Sequence, residues 1–377
     1  MAPRPQNLPQ AQTQTVAVHP DARRGRGAVS NVSGRFETES RVTRDDNFSY
    51  DDGWGGAEDA PPTRTSVERD TSRTILARNT SPDIPFDRSI NPYRGCEHGC
   101  FYCFARPTHA FLGLSPGLDF ETRLFAKPNA GALLAATLRK PSYKCRMIAI
   151  GTNTDPYQPI EERYAITRDV LKVLSAFNHP VGIVTKGARV TRDVNVLADM
   201  ARRGLSHVML SVTTLDHRLA RKMEPRASTP RKRLEAIRLL SSAGIPTGVM
   251  VAPVIPGLTD HEIEPILEAA AEAGAKAAGY IMLRLPLEIK DLARQWLTAN
   301  VPDRAAKVIA QIQDSRGGKD YDTTFGARMR GHGPFADLIA QRFKNATRRY
   351  GLDGKLSPLR TDLFHRPEAP SPQLSLI

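Results

Sequence analysis

The chain has 377 residues, enough for one large α/β domain with terminal extensions or for two modest domains. Its formal net charge of +13 favours an anionic partner such as nucleic acid, although charge alone identifies no partner. No apolar run is long enough for a membrane-spanning helix and residues 1–14 lack the apolar core of a signal peptide, so we expect a cytoplasmic protein with no membrane association.

Residues 1–80 differ in composition from the rest of the chain. They contain eleven Arg, no Lys and eleven Asp or Glu, so the excess of positive charge lies in residues 81–377. They are rich in Pro, Gly, Gln and Ser, and their apolar residues recur with no period. Such a segment cannot bury enough surface to offset the entropy lost on ordering. We therefore predict a largely disordered N-terminal extension over residues 1–80.

Three of the four cysteines lie in one segment, NPYRGCEHGCFYCFARPTH, at residues 91–109. Cys96, Cys100 and Cys103 have C-x3-C-x2-C spacing, and a glycine before each of the first two lets the backbone wrap a small group. Thiolates at this density are ligands for iron–sulfur clusters or for zinc. The segment is therefore predicted to bind a metal centre.

The two metals make different demands on this segment. A tetrahedral zinc site needs a fourth ligand, from His98, His109 or the distant Cys145. Three cysteines are enough for a four-iron cluster that leaves one iron open, and Tyr102 would then form an apolar wall beside that iron. Cys145 lies at the entrance to a strand and is better explained as a small buried side chain.

From residue 81 the chain alternates short apolar strands with amphipathic helices. Strands are predicted at 89–93, 146–150, 181–184, 207–212, 247–252 and 278–283. Helices are predicted at about 130–140, 166–177, 193–202, 230–243, 261–273 and 292–298, with Asn129 capping the first. The segment DFETRLFAK at 119–127 alternates like a further strand. Six strand–helix units predict a parallel sheet covered by helices, with ligands gathering at the C-terminal ends of the strands.

The remaining sequence changes character after about residue 301. Two helices are predicted at 301–316 and 335–351, joined by the basic, glycine-rich loop GARMRGHG, and the tail from residue 358 is Pro-rich. The sequence therefore predicts a core at 81–300, a helical C-terminal region at 301–357 and a flexible tail at 358–377.

The cysteine segment resembles the cluster loop of the radical S-adenosylmethionine (SAM) superfamily, in which C-x3-C-x-aromatic-C holds a [4Fe–4S] cluster whose open iron is chelated by SAM. Its flanking residues resemble the branch that contains spore photoproduct lyase and uncharacterised bacterial relatives. This resemblance implies a partial (βα)6 TIM-type barrel. It also implies SAM as a second cofactor, and an electron donor such as flavodoxin or ferredoxin.

The resemblance further implies residues of a SAM site, most of them at strand ends. Thr154 and Asp155 match positions in a loop that contacts the SAM amino group. Lys186 of VTKG matches a lysine that pairs with the SAM carboxylate, and Ser211 of LSVTT matches a serine near the ribose. The loop VAPVIPGLTD is similar to an adenine-side loop.

A basic run at 216–238 contributes two further candidates. Its MEPRA core resembles a superfamily segment between the fourth strand and its helix, which implies that Glu224 and Arg226 lie near the cofactor. The remaining Lys and Arg of this run could hold phosphates or form the solvent face of a helix.

Two positions depart from the pattern of spore photoproduct lyase. The cysteine that donates a hydrogen in that enzyme is Thr152 here, and a tyrosine of the same relay is Phe104 here. A hydroxyl holds its hydrogen too tightly for that task. We therefore expect this chain not to repair the spore photoproduct.

These observations predict a radical SAM enzyme that cleaves SAM reductively and abstracts hydrogen from an unidentified substrate. Nucleic acid is favoured by the charge and by the resemblance. One alternative is a zinc-stabilised nucleic-acid-binding protein without catalysis. Another is a degenerate barrel that keeps an iron–sulfur cluster for structure or redox sensing.

The final pentapeptide QLSLI resembles the motif by which bacterial repair and replication proteins dock on the sliding clamp. Gln373, Leu374, Leu376 and Ile377 would make the contacts, with Ile377 in place of the usual Phe. A terminus that docks on its own barrel is the alternative interpretation.

Overall fold

The computed structural model describes residues 23–37 and 63–367. The strands are β1 Ser66–Arg69, β2 Leu76–Arg78, β3 Arg88–Ile90, β4 Tyr93–Arg94, β5 Arg123–Ala126, β6 Ile148–Ile150, β7 Val181–Thr185, β8 Ser206–Ser211, β9 Thr247–Val254 and β10 Ala277–Met282. The helices are α1 Asp119–Thr122, α2 Ala130–Arg139, α3 Glu161–Tyr164, α4 Ile166–Ala176, α5 Val194–Arg202, α6 His217–Met223, α7 Pro230–Ser242, α8 Ile263–Glu272, α9 Ile289–Asn300, α10 Pro302–Asp314, α11 Ala327–Arg330 and α12 Pro334–Arg349.

The main sheet has the strand order β10-β9-β8-β7-β6-β3-β2. Its neighbours pair in parallel from β10 to β3, and β2 adds an antiparallel edge strand beside β3. Each of the parallel strands is followed along the chain by a helix. The predicted α/β fold, a partial barrel of six strand–helix units, is confirmed.

The face of the sheet that the helices cover is apolar, as expected for parallel strands in an α/β barrel. The side chains of Val181, Ile183, Val208 and Leu210 are fully buried. They belong to one apolar cluster with the inward faces of α2, α4, α5, α7 and α8. Burial on this scale holds the strand ends, and the loops that follow them, in fixed positions.

The connection between β3 and β6 differs from its prediction. The expected strand over 119–127 is helix α1 followed by strand β5, and all four residues of α1 are buried, so the polar positions of the alternating pattern do not face solvent there. Strands β1, β5 and β4 form a small second sheet. Asn129 precedes α2, but its side chain makes no capping hydrogen bond.

The N-terminal extension also differs from its prediction wherever the structure describes it. Strands β1 and β2 pair with β5 and β3, respectively. Residues 26–34, which we call the strap, lie against the cysteine segment, and the amides of Gly27 and Ala28 each donate to the Glu121 carboxylate over 2.8 Å. These partners are more than ninety residues away in sequence, so no local periodicity reveals them.

The C-terminal region packs on the outside of the barrel. Helix α12 lies against α8, where Arg342 Nη2 is 2.6 Å from Glu264 Oε2. In the ranges that the structure describes, no helix is long and apolar enough to cross a membrane. The pentapeptide QLSLI lies outside the described residues, and the domain boundaries at 81, 301 and 358 stay predictions.

Candidate active site

A cleft of about 960 Å³, including its open mouth, lies at the C-terminal ends of the barrel strands. One wall is the cysteine segment. The others are the loop after β6, the ends of β7 and β8, and the segments that close β9 and β10. The strand-end rule, by which ligands gather at the C-terminal ends of parallel strands, therefore correctly predicted where the polar side chains meet.

The three clustered cysteines all line this cleft. Cys96 and Cys100 are buried and Cys103 is half-buried. The turns before the first two depend on glycine, since Gly95 and Gly99 have φ values of 75° and 69°. A Cβ at Gly95 would also lie 2.5 Å from Leu124 Cδ2. The close packing of this loop aims the thiols of the segment into the cleft.

The chemistry of the three thiols fits a metal cluster. Burial raises the pKa of each thiol, and for Cys96 the neighbouring Asp155 and the other two thiols raise its pKa further. Such thiols become thiolates readily only when a cationic group binds them. Cys145 does not line the cleft, and burial raises the pKa of its thiol to about 11.

One of the candidate zinc ligands already has another partner. In the described part of the chain, no group of three His, Cys, Asp or Glu side chains converges on one metal-ion position. His109, a candidate zinc ligand, lies in the core of the segment with Nε2 2.8 Å from the carbonyl oxygen of Arg123. Thiolates that bind different irons of one cluster need not converge on a point.

Tyr102 forms a wall of the cleft, and its hydroxyl is held by residues on the side of the ring away from the cleft. Its hydroxyl donates to Glu224, which is also ion-paired with the buried Arg233 and accepts from Thr213 Oγ1 over 2.7 Å. Burial tends to raise the pKa of Glu224, but the charges of Arg233 and Lys186 outweigh it and hold that pKa at about 2. Glu224 is therefore a buried anion that orients the Tyr102 ring.

The structure does not bring Glu224 or Arg226 into the wall of the cleft. Glu224 lies behind Tyr102, and Arg226 Nη2 is 3.1 Å from Glu97 Oε1. This part of the basic run therefore contacts the Glu97 carboxylate and does not face the cleft. The resemblance of the MEPRA segment to the superfamily predicted that it lies near the cleft, but not that Glu224 lies on the far side of Tyr102.

Thr154 and Asp155 line the cleft and tie its loops together. The Thr154 hydroxyl donates to the carbonyl oxygen of Gly95 over 2.7 Å. Asp155 accepts from Thr185 Oγ1 over 2.6 Å and from the Lys186 amide over 2.8 Å. These bonds join the loop after β6 to the cysteine segment and to the end of β7.

His98 also contacts Asp155, with 3.4 Å between Nδ1 and Oδ2. Burial tends to raise the pKa of Asp155, but His98 and the donors at the end of β7 outweigh it and hold that pKa at about 2. Asp155 therefore presents a full negative charge beside the cleft. Sequence reasoning considered His98 only as a zinc ligand and missed this role.

Lys186 and Ser211 also line the cleft. The Lys186 Nζ lies 3.4 Å from the carbonyl oxygen of Ala252 and 5.6 Å from the centre of the Tyr102 ring. Of the residues that the structure describes, none offers this ammonium a carboxylate within the 4.0 Å of an ion pair. Lys186 can therefore accept an anionic group from a ligand.

Three further residues line the open side of the cleft. Phe104 is 50% exposed, and Thr152 is half-buried with Oγ1 3.3 Å from Asn91 Oδ1. Arg284, which sequence reasoning missed, lies two residues after the end of β10 and over the Phe104 ring. Its position immediately after a predicted strand was the signal that could have found it.

The Radical SAM superfamily model matches residues 90–270. An uncharacterised protein of Mycobacterium tuberculosis is 39% identical over 226 residues, which cover 59% of this chain and 66% of that protein. A radical SAM Nα-GlyT isomerase of Pseudomonas phage M6 is 28% identical over 189 residues, covering 48% of this chain and 36% of the isomerase. The chain thus spans about two thirds or less of these relatives' lengths.

A solved structure of spore photoproduct lyase complexed with dinucleoside spore photoproduct has a TM-score of 0.51 to this chain. The two share 15% identity, and the match covers 75% of this chain and 77% of the lyase, so this comparison concerns the fold alone. Residues 90–270 of the chain are therefore similar to the radical SAM superfamily, in a barrel that has the fold of spore photoproduct lyase.

Proposed function

We propose that this protein is a radical SAM enzyme in which Cys96, Cys100 and Cys103 hold a [4Fe–4S] cluster. The observation that carries the proposal is that all three cysteines and the unpaired cation of Lys186 line one cleft at the strand ends. When bound, the cluster and SAM would supply reductive cleavage of the S–C5′ bond and, through a 5′-deoxyadenosyl radical, abstraction of a hydrogen atom from the substrate.

The chain's own residues bind and orient SAM in this proposal. Lys186 binds the carboxylate of SAM, and the negative charge of Asp155 offsets its cationic amino group. Tyr102 forms an apolar wall that Glu224 holds in place, which excludes water from that side. Thr154 positions the cluster loop through Gly95, and Ser211 closes the cleft near the ribose.

Nucleic acid is the substrate class that we propose to test first. The phage relative is named as an Nα-GlyT isomerase, and the solved lyase was complexed with a dinucleoside. The charge of +13 is compatible with such a substrate. We also propose a cytoplasmic location and an electron donor of the flavodoxin or ferredoxin kind, since the reaction consumes one electron.

The decisive experiment is anaerobic reconstitution with iron and sulfide, followed by reduction with dithionite in the presence of SAM. The proposal predicts 5′-deoxyadenosine and methionine in the wild type and neither product in the Cys96→Ala/Cys100→Ala/Cys103→Ala variant. A protein that holds iron and sulfide but releases no 5′-deoxyadenosine would be a degenerate barrel. A colourless protein carrying one zinc ion would be the zinc-stabilised nucleic-acid-binding protein without catalysis.

A further inference from the structure

The cleft contains two cations at separate places along its wall. Lys186 lies over Tyr102, and Arg284 lies over Phe104 with its Cζ 5.6 Å from the ring centre. These two aromatic residues flank Cys103 in the chain. Among the side chains that the structure describes, no carboxylate lies within ion-pair distance of either cation.

The Arg284 guanidinium is held in place but not saturated. Its Nη2 is 3.1 Å from the Tyr321 hydroxyl, and its Nη1 is 3.5 Å from the sulfur of Met329. Its buried Nε has no hydrogen-bond partner in the described part of the chain. A buried donor left without an acceptor is unfavourable, so this side chain is arranged for an acceptor that a ligand brings.

The residues around Arg284 add a second positive charge and provide no free carboxylate among those described below. Arg316 is buried nearby, and within the described residues its guanidinium donates only to carbonyl oxygens, those of Leu283 and Ala327, over 3.0 and 2.7 Å. Burial and the charge of Arg284 both lower the pKa of Arg316. The carboxylate of Asp83 is already ion-paired with Arg328.

SAM can satisfy only one of the two cations. It carries a single carboxylate, which the proposed function gives to Lys186, and its other charged groups are cationic. Arg284 would therefore still lack an anion after the cofactor binds. The missing anion must come from the second molecule in the cleft, which is the substrate.

We propose that Arg284 and Phe104 form a subsite for one nucleotide of a nucleic-acid strand, a conclusion that rests on the proposed function. The planar guanidinium matches the oxygens of a phosphate. The Phe104 ring, 50% exposed beside it, offers a face on which a base can stack. A nucleotide supplies a phosphate and a flat ring together, whereas an acidic peptide side chain supplies the anion alone.

The test measures binding of a fluorescein-labelled single-stranded DNA oligonucleotide to the cluster-loaded, SAM-bound protein under anaerobic conditions. Arg284→Ala should weaken binding about ten- to a hundredfold, since it removes a charge-assisted contact. The salt slope, which is the slope of the logarithm of the binding constant against the logarithm of the salt concentration, should become less steep by the contribution of about one phosphate contact. Arg284→Lys should recover part of the affinity. Phe104→Leu should weaken binding while leaving the salt slope unchanged, because it removes a stacking face and no charge.

Arg348→Ala is the matched control, because it removes one exposed positive charge from α12. Equal oligonucleotide affinity in Arg284→Ala and Arg348→Ala would overturn the subsite. A labelled acidic peptide that requires Arg284 when the oligonucleotide does not would overturn nucleic acid as the substrate class. A loss of SAM affinity in Arg284→Ala as large as its loss of oligonucleotide affinity would place Arg284 at the cofactor instead.

The same preparation separates this proposal from the one on which it rests. Wild-type protein that releases no 5′-deoxyadenosine under dithionite and SAM would refute the proposed function whatever the oligonucleotide does. Wild-type protein that cleaves SAM but binds the oligonucleotide independently of Arg284 would refute only the subsite.

Discussion

Buried charges at this site are positioned by partners that lie outside the cleft. Glu224 and Arg233 form an ion pair whose side chains are 1% and 2% exposed, and both connect to cleft residues through hydrogen bonds. The Arg233 guanidinium donates to the carbonyl oxygen of Ser211 over 2.9 Å. The pair therefore links the Tyr102 wall to the end of β8.

This linkage predicts that Glu224→Gln destabilises the protein by about 3–5 kcal/mol, because it leaves the Arg233 charge buried without its counter-ion. The measurement is the free energy of unfolding in urea. Glu235→Gln is the control, since Glu235 pairs with Arg231 on the exposed face of α7, where an ion pair contributes about 0–1 kcal/mol. Similar losses in the two variants would contradict the role of Glu224.

The ligand proposal gives a second prediction for single residues. Cys96→Ala, Cys100→Ala and Cys103→Ala should each abolish iron and sulfide binding after reconstitution, because each removes one of three protein ligands. Cys145→Ala should retain both, since Cys145 does not line the cleft. Iron and sulfide analysis distinguishes these outcomes, and loss of iron from Cys145→Ala would refute the ligand set.

Lys186→Ala should keep its iron but bind SAM about ten- to a hundredfold more weakly, the effect of losing a charge-assisted contact. Equilibrium binding of SAM to the reconstituted protein measures this. Lys172→Ala is a matched control on the exposed face of α4, 3.1 Å from Asp169. If SAM affinity is the same in both variants, the carboxylate of SAM does not bind at the end of β7.

At the scale of elements, periodicity and the strand-end rule correctly predicted the parallel strands and the meeting of Thr154, Asp155, Lys186 and Ser211 at one cleft. Both follow from side-chain burial and from the geometry of parallel strands, and both can be recognised from the pattern of apolar residues in short stretches of sequence. The strap was not predicted, because its contacts connect segments that are far apart in the sequence. The alternating pattern of 119–127 likewise concealed α1, whose polar residues Asp119 and Glu121 are buried by partners in the strap.

The strap gives a prediction of its own. A Cβ at Gly27 would lie 1.7 Å from the carbonyl oxygen of Gly99, so Gly27→Ala must displace the strap from the cysteine segment. We expect the reconstituted protein to lose its visible absorbance faster in air. Gly131→Ala is the control, because a Cβ there would lie 3.7 Å from its nearest neighbours. Equal bleaching rates would show that the strap does not protect the site.

For the whole molecule, the location of charge matters more than its sum. The positive excess lies in residues 81–377, and two arginines, Arg284 in the cleft wall and its buried neighbour Arg316, are among the cations without a carboxylate at ion-pair distance in the described ranges. Docking of QLSLI on a sliding clamp stays a prediction. It can be tested by titrating a peptide of residues 371–377 against the purified clamp, with Gln373→Ala/Leu376→Ala as control.

The strap also constrains the order in which the protein can mature. Its residues leave the ribosome before those of the barrel, yet Ser30 hydrogen-bonds Gln295 in α9, and Asn31 bonds Asp119 over 3.1 Å. The strap therefore cannot complete its contacts until nearly all of the barrel has been synthesised. Until then the side of the cysteine segment that the strap packs against stays uncovered.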